Sequence, residues 1–376
     1  MIDRMPTGIQ VRLAESRDQV PLGREAWNAL AARNPTKTAF QSFEWFDTWW
    51  TAFGRRHRLF LLTVHHADRV IGIVPMMLVR GPLGLRQLEF TGIPNSDYQD
   101  VILPERRKEA ISAVCQFLYS ERKRWHMVVF RDLPERSPTA GEFTAAFEGL
   151  GLGVMNLERQ PCPAVLLRGH ESEIRRMLDR YSLRRRIRRL EQRGPLRYHL
   201  CTTMDEIDQA LPVFFEQHIQ RWRETGTPSP FSDATFQDWY RALASAAFEC
   251  GWLHFSILEC AGKPAAFHFG FQYGKTLSWY KPSFDWDFHR ESPGTVLIRH
   301  LIEEASSRGL DELDFSSGLE GFKLRFANSQ SINLNLRVFS RSWLHRGFIA
   351  GARLRQLARH VWHRLRRSSP AAQSPI

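Results

Sequence analysis

Two periodicities of apolar residues run through the first half of the chain and predict a mixture of helices and strands. Apolar residues three and four positions apart indicate amphipathic helices, and short apolar runs bounded by turn residues are typical of strands. The predicted elements are a helix over Glu44–Phe53, strands over Leu59–Val64, Val70–Val79 and Gln87–Thr91, a helix over Arg107–Lys123 and a strand over Met127–Arg131. A loop containing Pro94-Asn95-Ser96-Asp97 interrupts this half, and a Pro/Gly-rich interval from Leu133 to Pro163 closes it.

The second half shows the same kinds of element with more turn signals. Gly309 follows the predicted helix at Pro293–Arg308 as its cap. The other predicted elements are helices over Met204–Arg223 and Asp233–Cys250 and strands over Trp252–Cys260, Pro264–Gln272, Thr276–Lys281, Leu310–Phe315 and Leu334–Phe339. Strand meander, helix and strand recur in both halves, which predicts an α/β fold without a close internal sequence repeat.

The three consecutive strands of the second half can be aligned from their own pattern. A turn at Ala261-Gly262-Lys263 places Ser256 opposite His268, and a turn at Tyr273-Gly274-Lys275 places His268 opposite Tyr280. One face is then apolar, and the other carries a candidate base and a candidate proton donor with Cβ atoms ~5 Å apart. The alternative is that these polar residues line a solvated sheet face or satisfy one another in a core covered by helices.

The composition is that of an ordinary globular protein. Of 376 residues 43% are hydrophobic and 24% charged, which excludes collagen-like and disordered classes. No apolar run reaches the ~20 residues that span a bilayer, and the amino terminus lacks the apolar segment of a signal peptide. The five cysteines are scattered without a CxxC pair, so we expect reduced thiols in a cytoplasmic protein.

The net charge of +12 comes from two segments. Arg168–Arg197 has eleven arginines and four acidic residues, a net charge of +7, and Arg341–Arg367 has eight arginines and no acidic residue. The rest of the chain is therefore close to neutral. The spacing of apolar residues predicts a helix in each segment, the second an amphipathic basic helix with Trp343 and Trp362 nearby, followed by a disordered tail over Ser368–Ile376.

Three interpretations of these basic helices remain open. Each helix could pack its apolar stripe on the body and leave its arginines in water. The helix within Arg341–Arg367 could bind anionic lipid headgroups. Either could contact phosphates of a nucleic acid or of a nucleotide-linked substrate. No nucleic-acid recognition motif accompanies the charge, so we expect no sequence-specific DNA binding.

Several familiar catalytic motifs are absent from the sequence. There is no GxxxxGK[ST] phosphate loop, GxGxxG, HExxH or GxSxG motif, and no set of kinase motifs. The sequence therefore gives no support for phosphoryl transfer, hydride transfer or metal-dependent hydrolysis. A transfer reaction that uses positioned donors and a general base remains open.

A series of short motifs in a fixed order carries a family resemblance. They are Phe40-Gln-Ser-Phe-Glu-Trp45, Trp49-Trp50, Phe53-Gly54, Val74-Pro75, Phe90-Thr-Gly92, Asp97-Tyr98, Arg189-Leu190-Glu191, Gly194, His218, Arg221-Trp222, Gly226, Gly262-Lys263-Pro264-Ala265-Ala266, Tyr280, Phe284-Asp285, Pro293-Gly294, Asp314-Phe315, Gly318 and Phe322-Lys323. In this order the chain resembles the CelD-like branch of the GNAT superfamily, which is related to the Fem peptidoglycan aminoacyltransferases. The resemblance spans about Ala39 to Phe326.

The resemblance implies an α/β fold of two tandem GNAT-like domains, each a mixed, mostly antiparallel sheet flanked by helices. The expected boundaries are 1–165 for an N-terminal GNAT-like domain, 166–340 for a C-terminal GNAT acyltransferase domain with the Arg-rich helix, and 341–376 for the basic amphipathic helix and tail. The implied reaction transfers an acyl or aminoacyl group to an amine or hydroxyl.

The resemblance also suggests where a donor would bind. The helix that begins at Pro293-Gly294-Thr295-Val296 corresponds to the GNAT helix whose amino terminus faces the pyrophosphate of acyl-CoA, and its free N–H groups are a sensible anion site. The sequence departs from the usual [RQ]xxGx[GA] loop, because His289-Arg-Glu-Ser-Pro-Gly294-Thr has one glycine and a proline. Acetyl-CoA or another acyl-CoA is the expected donor, and an aminoacyl-tRNA stays open.

Individual roles follow as hypotheses. His268 or Glu320 takes the acceptor proton, Lys323 stabilises the oxyanion and Tyr280 protonates the leaving group. His218 and Arg221, three residues apart on a helix, hold an anionic group, and the remaining candidate substrate contacts are Trp222, Ser256, Asp97 and Tyr98. Trp222 could instead be a core residue, and Lys323 an ordinary ion-pair partner of Glu320. No metal site is expected.

Two rival functions remain open at this point. The GNAT scaffold could have lost catalysis and serve as an assembly protein at the membrane surface in a polysaccharide or envelope pathway. An RNA-associated, Fem-like transferase would instead use aminoacyl-tRNA. The expected acceptor is a small molecule, a glycan or a lipid-linked compound. The expected location is cytoplasmic, peripheral to the inner face of the membrane.

Overall fold

The computed structural model describes residues 8–81, 84–156 and 159–351. Its strands are β1 Ile9–Ala14, β2 Arg58–Leu59, β3 Leu61–His66, β4 Arg69–Val74, β5 Met76–Arg80, β6 Arg86–Phe90, β7 Met127–Pro134, β8 Gly153–Asn156, β9 Gln160–Leu166, β10 Leu196–Leu200, β11 Leu253–Cys260, β12 Lys263–Tyr273, β13 Thr276–Phe284, β14 Glu312–Asp314 and β15 Ser329–Phe339. Its helices are α1 Arg24–Ala32, α2 Phe43–Phe53, α3 Arg107–Ser120, α4 Thr139–Gly149, α5 Glu171–Leu178, α6 Tyr181–Glu191, α7 Met204–Glu224, α8 Ala234–Glu249, α9 Pro293–Ser307 and α10 Gly321–Leu324.

Most of these strands form one large mixed sheet that continues through both halves of the chain. Its order is β10-β11-β12-β13-β14-β9-β15-β7-β6-β5-β2, and β8 pairs with β15. Strands β1, β3 and β4 form a separate three-stranded sheet. The late strand β15 pairs with β9 and with β7, so it joins the two halves along the sheet.

Each half repeats one sequence of elements. In the first half β5 and β6 are antiparallel, α3 crosses over, and β7 returns parallel to β6. In the second half β12 and β13 are antiparallel, α9 crosses over, and β14 returns parallel to β13. A helical crossover is the usual connection between parallel neighbours. The structure therefore confirms the predicted α/β fold with mixed, mostly antiparallel sheets flanked by helices.

The predicted register is correct for one hairpin of the meander and wrong for the next. Ser256 lies opposite His268 as predicted, but His268 lies opposite Pro282 and not opposite Tyr280. Two features cause the difference: Tyr273 pairs directly with Thr276 across a two-residue turn, and the pairing shifts at Gly270. A Cβ at Gly270 would lie 2.2 Å from His268 Nε2 and 2.3 Å from the Ser278 oxygen, so only glycine fits this irregularity.

The shift changes which face Tyr280 occupies. Tyr280 packs with Phe255, Phe269 and Phe271 in the core that α7 and α8 cover, whereas Trp279 packs in the core beneath α9. The predicted Ser256–His268–Tyr280 row is therefore not formed. The two-residue turn displaces the pairing by one residue, which moves Tyr280 to the opposite face, and the irregularity at Gly270 adds a second residue.

The first basic segment forms two helices where the pattern predicts one. Arg180 between α5 and α6 has an extended ψ of 135°, which ends the first helix. Its guanidinium donates to the Arg325 carbonyl oxygen at 2.8 Å. Leu183 and Leu190 are buried as the periodicity predicts, but Tyr181 is 68% exposed and does not belong to the apolar stripe.

One core cluster joins the two halves. Trp45 and Trp49 of α2 belong to the same buried cluster as Trp239 and Tyr240 of α8 and Tyr280 of β13. Trp45 contacts Trp239 edge to face with ring centroids 5.5 Å apart. Burial of several large aromatic rings is worth several kcal/mol, so the two halves hold each other in a fixed relative position.

The carboxyl-terminal basic segment is described only in part. A helix covers 342–351, in which Leu344 is buried and Trp343 is 63% exposed. The remainder of the predicted helix through Arg367, including Trp362, lies outside the described residues, as does Ser368–Ile376. Within the described part of the chain, no helix is both long and apolar enough to cross a bilayer.

Candidate active site

A cleft opens where the parallel strands β13 and β14 of the second half separate. β13 pairs with β14 only from Thr276 to Ser278, while β13 itself continues to Phe284. After Asp314 the chain turns away at Ser316, whose φ of +59° is in the left-handed region. Residues Tyr280 to Pro282 therefore lack a neighbouring strand on that side, and a cavity of about 280 Å³ lies there.

We call this space the central cavity. Its lining combines carboxylates, cations and aromatic rings, a composition typical of binding sites for small polar groups. The lining residues are Asp97, His218, Arg221, Trp222, Pro230, Trp279, Tyr280, Lys281, Pro282, Phe315, Ser316, Ser317, Glu320, Phe322 and Lys323. The structure thus brings together seven of the sequence-predicted site residues, Asp97, His218, Arg221, Trp222, Tyr280, Glu320 and Lys323.

Asp97 reaches the central cavity from the first half of the chain. Ser316 Oγ donates a hydrogen bond of 2.8 Å to Asp97 Oδ2, and Asn333 Nδ2 donates to the Asp97 backbone oxygen at 2.9 Å. Burial raises the pKa of Asp97, although the charges of Lys281 and Lys323 act in the opposite direction. A carboxylate with a raised pKa is suited to accept a proton near neutral pH.

The loop that carries Asp97 is held by the tryptophans of α2. Trp45 Nε1 donates to Ser96 Oγ at 2.9 Å, and Trp49 Nε1 donates to Asn95 Oδ1 at 3.0 Å. Gly92 has a φ of +91°, and a Cβ there would lie 2.7 Å from Trp45 Nε1. The loop therefore needs both the glycine and the indole donors to place Asp97.

Tyr98, the next residue, points away from the central cavity. Its hydroxyl donates to Asp314 Oδ1 at 2.8 Å, and the two residues line a separate, smaller cavity of about 60 Å³. Burial, followed by the charge of Glu312, raises the pKa of Asp314 to about 7. Asp314 Oδ1 also accepts the Ser316 N–H at 2.9 Å, so this carboxyl supports the loop that binds Asp97.

Two lysines supply positive charge to the central cavity. Lys323 Nζ donates to the Ser317 oxygen at 2.6 Å and lies 2.9 Å from Glu320 Oε2. Lys323 is buried, whereas the Glu320 side chain is about half exposed, so the pair presents its cation to the interior. Burial lowers the pKa of Lys281, and the nearby charge of Asp97 partly opposes this.

Tyr280 lines the central cavity, and its hydroxyl is already hydrogen-bonded within the protein. The O–H donates to the Asn95 oxygen at 2.8 Å, and it accepts the Tyr240 O–H at 3.2 Å. Burial is the main reason that the pKa of Tyr280 lies well above its usual range. The hydroxyl therefore links β13 to the loop of the first half.

His218, Arg221 and Trp222 form one wall of the cleft, on α7. His218 stacks on Trp222 with ring centroids 5.5 Å apart, and its Nδ1 is 2.8 Å from Ser229 Oγ. Burial lowers the pKa of His218 to about 3, so the ring is neutral. Arg221 lies over the Phe284 ring at 4.7 Å, and no carboxylate in the described part of the chain forms an ion pair with it.

A second cavity of about 180 Å³ adjoins the first, and we call it the helix-end cavity. Pro293, Gly294 and Thr295 line it, while Arg221, Trp279, Pro282 and Phe322 line both cavities. A Cβ added at Gly294 would meet nothing within 4 Å, so the first turn of α9 is open to an approaching group. Pro293 has no N–H and the Thr295 N–H donates to the Ser292 oxygen at 2.9 Å, so it is chiefly the helix dipole that favours an anion at this position.

Four of the predicted site residues lie outside both cavities. Tyr98 lies behind the site as described above, Val296 is fully buried on the inner face of α9, and Ser256 is buried within the sheet. His268 is fully buried and stacks on Trp279 at 5.2 Å with an interplanar angle of 11°, so the indole lies between this imidazole and the central cavity.

The hydrogen bonds of His268 identify it as part of a buried network. Its Nε2 donates to the Ser278 oxygen at 3.1 Å, and its Nδ1 lies 3.3 Å from His254 Nδ1. His254 Nε2 in turn lies 3.2 Å from Glu304 Oε2. Burial is the main reason that the pKa of His268 lies well below its usual range. The structure thus gives His268 a place in the core and no access to a substrate.

Sequence reasoning missed Lys281, Ser316 and the amide of Asn333. Lys281 follows Tyr280 directly, so a correct strand register would have placed it at the cleft. Ser316 and Asn333 reach Asp97 across 219 and 236 residues of sequence, and no local pattern indicates such contacts. Among the described residues no group of three or more His, Cys, Asp or Glu side chains is arranged to hold a metal ion.

Residues 179–324 match the protein family described as "Acetyltransferase (GNAT) domain". The match includes α6 to α10, and with them most of the central cavity. No curated protein sequence matches the chain.

Solved structures with the same fold cover nearly the whole chain. FemX has a TM-score of 0.61 at 10% identity, with 84% of this chain and 96% of FemX covered. L-PGS from Bacillus licheniformis has a TM-score of 0.53 at 12% identity, with 88% of this chain and 96% of that protein covered. A conserved protein of unknown function from Bacteroides thetaiotaomicron has a TM-score of 0.55 at 13% identity, with 88% and 100% covered. The chain therefore shares the fold of these proteins, and its residues 179–324 match a GNAT domain.

Proposed function

We propose that the protein is an acyltransferase that moves an acyl or aminoacyl group from an activated carrier to an amine or hydroxyl acceptor. We place the reaction in the second half, 166–340, with Asp97 contributed by the first half, 1–165. The observation that carries the proposal is one cleft in which Asp97, Lys281, Lys323 and Tyr280 surround a cavity that opens to the amino terminus of α9.

Asp97 is the base in this proposal. Its raised pKa and its position in the cavity suit it to take the proton from the acceptor N–H or O–H as that atom attacks the donor carbonyl. Glu320 is less suited, because it is half exposed and its carboxylate is paired with Lys323. His268 is not the base in this proposal, because Trp279 stacks on its ring and separates it from the central cavity.

In this proposal Lys323 stabilises the oxyanion and Lys281 protonates the leaving group. The attack forms a bond between the acceptor and the carbonyl carbon and leaves negative charge on the carbonyl oxygen, which the buried Lys323 ammonium stabilises. The bond from that carbon to the carrier then breaks, and the leaving sulfur or oxygen takes a proton. Lys281 gives this proton, since burial lowers its pKa. Tyr280 is the poorer donor, because its O–H is engaged with the Asn95 oxygen.

The amino terminus of α9 holds the phosphates of the carrier in this proposal. The open first turn at Gly294 favours an anion in the helix-end cavity, and so does Arg221, whose guanidinium donates to the Pro282 oxygen at 3.3 Å but forms no ion pair with a carboxylate of the described residues. Acyl-CoA and aminoacyl-tRNA both join an activated acyl group to a phosphorylated carrier, so both remain donors to be tested. The acceptor proposed is a small molecule, a glycan or a lipid-linked compound of polysaccharide or envelope synthesis.

Release of label from the donor tests this function. The purified full chain is incubated with acetyl-CoA labelled in the acetyl group, and separately with a labelled aminoacyl-tRNA, in the presence of a panel of amines and sugars. We expect release from one donor, and we expect Lys323→Met to lower the rate on the order of 10²-fold. Lys263→Met, an exposed lysine at the start of β12, is the matched control and keeps the wild-type rate.

Two outcomes contradict the proposal. One is that the wild type releases no label from any donor while the protein is folded by circular dichroism. The other is that Lys323→Met and Asp97→Asn both keep the wild-type rate.

We also propose that the protein associates with an anionic membrane surface through Arg341–Arg367. The supporting observation is Trp343, which is 63% exposed beside Arg341, at the start of the helix over 342–351. Flotation with vesicles containing phosphatidylglycerol tests it: the full chain floats, and a Trp343→Ser chain floats less. Equal flotation of the two chains, or none with either, contradicts it.

A further inference from the structure

A third cavity lies beside the helix-end cavity and is lined by arginine side chains. Arg185, Arg186 and Arg189 of α6 and Arg290 of the short 3-10 helix over Trp286–Glu291 surround a space of about 320 Å³. Tyr181 and Ser182 complete the lining with Ser292, which also lines the helix-end cavity. We call this space the arginine pocket. Ser292 thus separates it from the helix-end cavity by a single residue.

The charge of the arginine pocket is not balanced by the protein. Within the described ranges, no carboxylate lies at ion-pair distance from Arg185, Arg186, Arg189 or Arg290. Other arginines nearby are paired: Arg193, for example, lies 3.5 Å from Glu291. The pocket therefore concentrates four positive charges that no ion pair of the described residues neutralises.

This concentration of charge works against the stability of the folded chain. Arg185 and Arg189 are four residues apart on α6, and like charges at that spacing destabilise a helix. Burial, together with the charges of Arg325, Arg185 and Arg189, lowers the pKa of Arg186. A bound polyanion would relieve this repulsion and would form charge-assisted hydrogen bonds with the guanidinium groups.

The position of Tyr181 adds a second kind of recognition. It is the first residue of α6, it lines the arginine pocket, and 68% of its surface is exposed. A large ring at the rim of a pocket that favours phosphates is suited to stack on a nucleobase. A ligand that carries both phosphates and a base would use all of these groups.

We propose that the arginine pocket binds the phosphorylated nucleoside of the acyl donor's carrier, with its phosphates on Arg185, Arg186, Arg189 and Arg290 and its base on Tyr181. This inference rests on the proposed function, because it takes the carrier to extend from the central cavity past the amino terminus of α9. The shared chemistry is a nucleoside with clustered phosphates, whether it belongs to coenzyme A or to the 3′ end of an RNA.

Direct binding tests the pocket without catalysis. The full chain is titrated by calorimetry with adenosine 3′,5′-bisphosphate and with a short RNA ending in CCA, and inorganic pyrophosphate is the probe without a base. We expect one of the two nucleotide probes to bind, with affinity that falls between about 50 and 200 mM salt. We expect Arg185→Gln/Arg189→Gln to weaken it at least about tenfold.

The chain offers a closely matched control. Arg184 and Arg188 lie on the same helix at the same spacing and are exposed, but they do not line the pocket. Arg184→Gln/Arg188→Gln removes the same charge and should weaken binding by less than about threefold, the long-range effect alone. Tyr181→Ala should weaken the nucleotide about tenfold and leave pyrophosphate unchanged.

The outcomes separate this inference from the proposed function. Equal losses in the two double variants, or no binding of either nucleotide probe, overturn the pocket even if label is released from a donor. Binding that depends on Arg185 and Arg189 in a protein that releases no label supports the pocket and contradicts the proposed reaction. The probe that binds identifies which carrier the pocket accepts.

Discussion

Replacement of Asp314 by asparagine should change how the stability of the protein depends on pH. Asp314 is buried, and burial together with Glu312 raises its pKa from 3.8 to about 7. The folded chain therefore binds this proton more tightly than the unfolded chain between those values. The stability that the protonated carboxyl provides is complete below about pH 4 and is lost as the pH rises through about 7.

The magnitude follows from the two pKa values. At about 1.4 kcal/mol for each factor of ten in the proton equilibrium, ionising Asp314 in the folded state costs about 4 kcal/mol in full. Between about pH 5 and pH 8 the contribution of Asp314 to the free energy of unfolding should therefore fall by about 2.5 kcal/mol. The amide of Asp314→Asn keeps an oxygen for the Tyr98 O–H and the Ser316 N–H, so this variant loses the titration and keeps the hydrogen bonds.

Urea unfolding followed by tryptophan fluorescence measures the effect. The free energy of unfolding of Asp314→Asn, relative to the wild type, should rise by about 2.5 kcal/mol from about pH 5 to pH 8. Asp208→Asn removes an exposed carboxyl of α7 and should show no such rise. A difference that stays constant with pH would show that folding does not raise the pKa of Asp314, and one that falls would show that folding lowers it; either result would refute the reasoning.

Four further substitutions test the assignment of individual residues. Tyr280→Phe should keep the rate of label release within about threefold, whereas Lys281→Met should lower it on the order of 10²-fold; the reverse order would return the proton donor to Tyr280. His268→Gln should keep the rate within about twofold but lower the free energy of unfolding by about 1–3 kcal/mol, and a catalytic loss in a stable variant would contradict the buried role. Trp45→Phe leaves Ser96 Oγ without its indole donor and should cost about 1–3 kcal/mol in urea unfolding; an unchanged stability would show that the contact is not needed.

The sequence could predict the elements of the fold because these depend on local patterns. The helices at Phe43–Phe53 and Pro293–Ser307 agree with prediction to within one residue at each end. The register of β12 and β13 could not be predicted in the same way. It depends on the two-residue turn between Tyr273 and Thr276 and on a further shift at Gly270, where a Cβ would collide with His268 and Ser278. Each of these features shifts the pairing by one residue, so the predicted register is wrong by two residues at His268 and puts Tyr280 on the wrong face.

The site likewise contains residues that adjacent sequence predicts and residues that only long-range packing brings together. Pro293-Gly294 indicates a helix amino terminus from adjacent residues, and the structure places both residues at a cavity. Lys281 and Asp97 meet only because β13 separates from β14 and because Trp45 and Trp49 fix a loop of the first half beside that gap. These arrangements depend on packing between distant parts of the chain, which no short motif encodes.

The same dependence explains why the two halves act as one unit in this proposal. The second half supplies the cations and the anion-binding helix, but the base that we assign, Asp97, belongs to the first half. Ser316 Oγ, the Asn333 amide and the Tyr280 hydroxyl all bind the loop from Asn95 to Asp97. Any loosening of the aromatic core between α2 and α8 should therefore move the base relative to Lys281 and Lys323, and a displacement of 1 Å is enough to lower a transfer rate substantially. The tryptophans of α2, although they do not line the central cavity, thus belong to the physical basis of the proposed reaction.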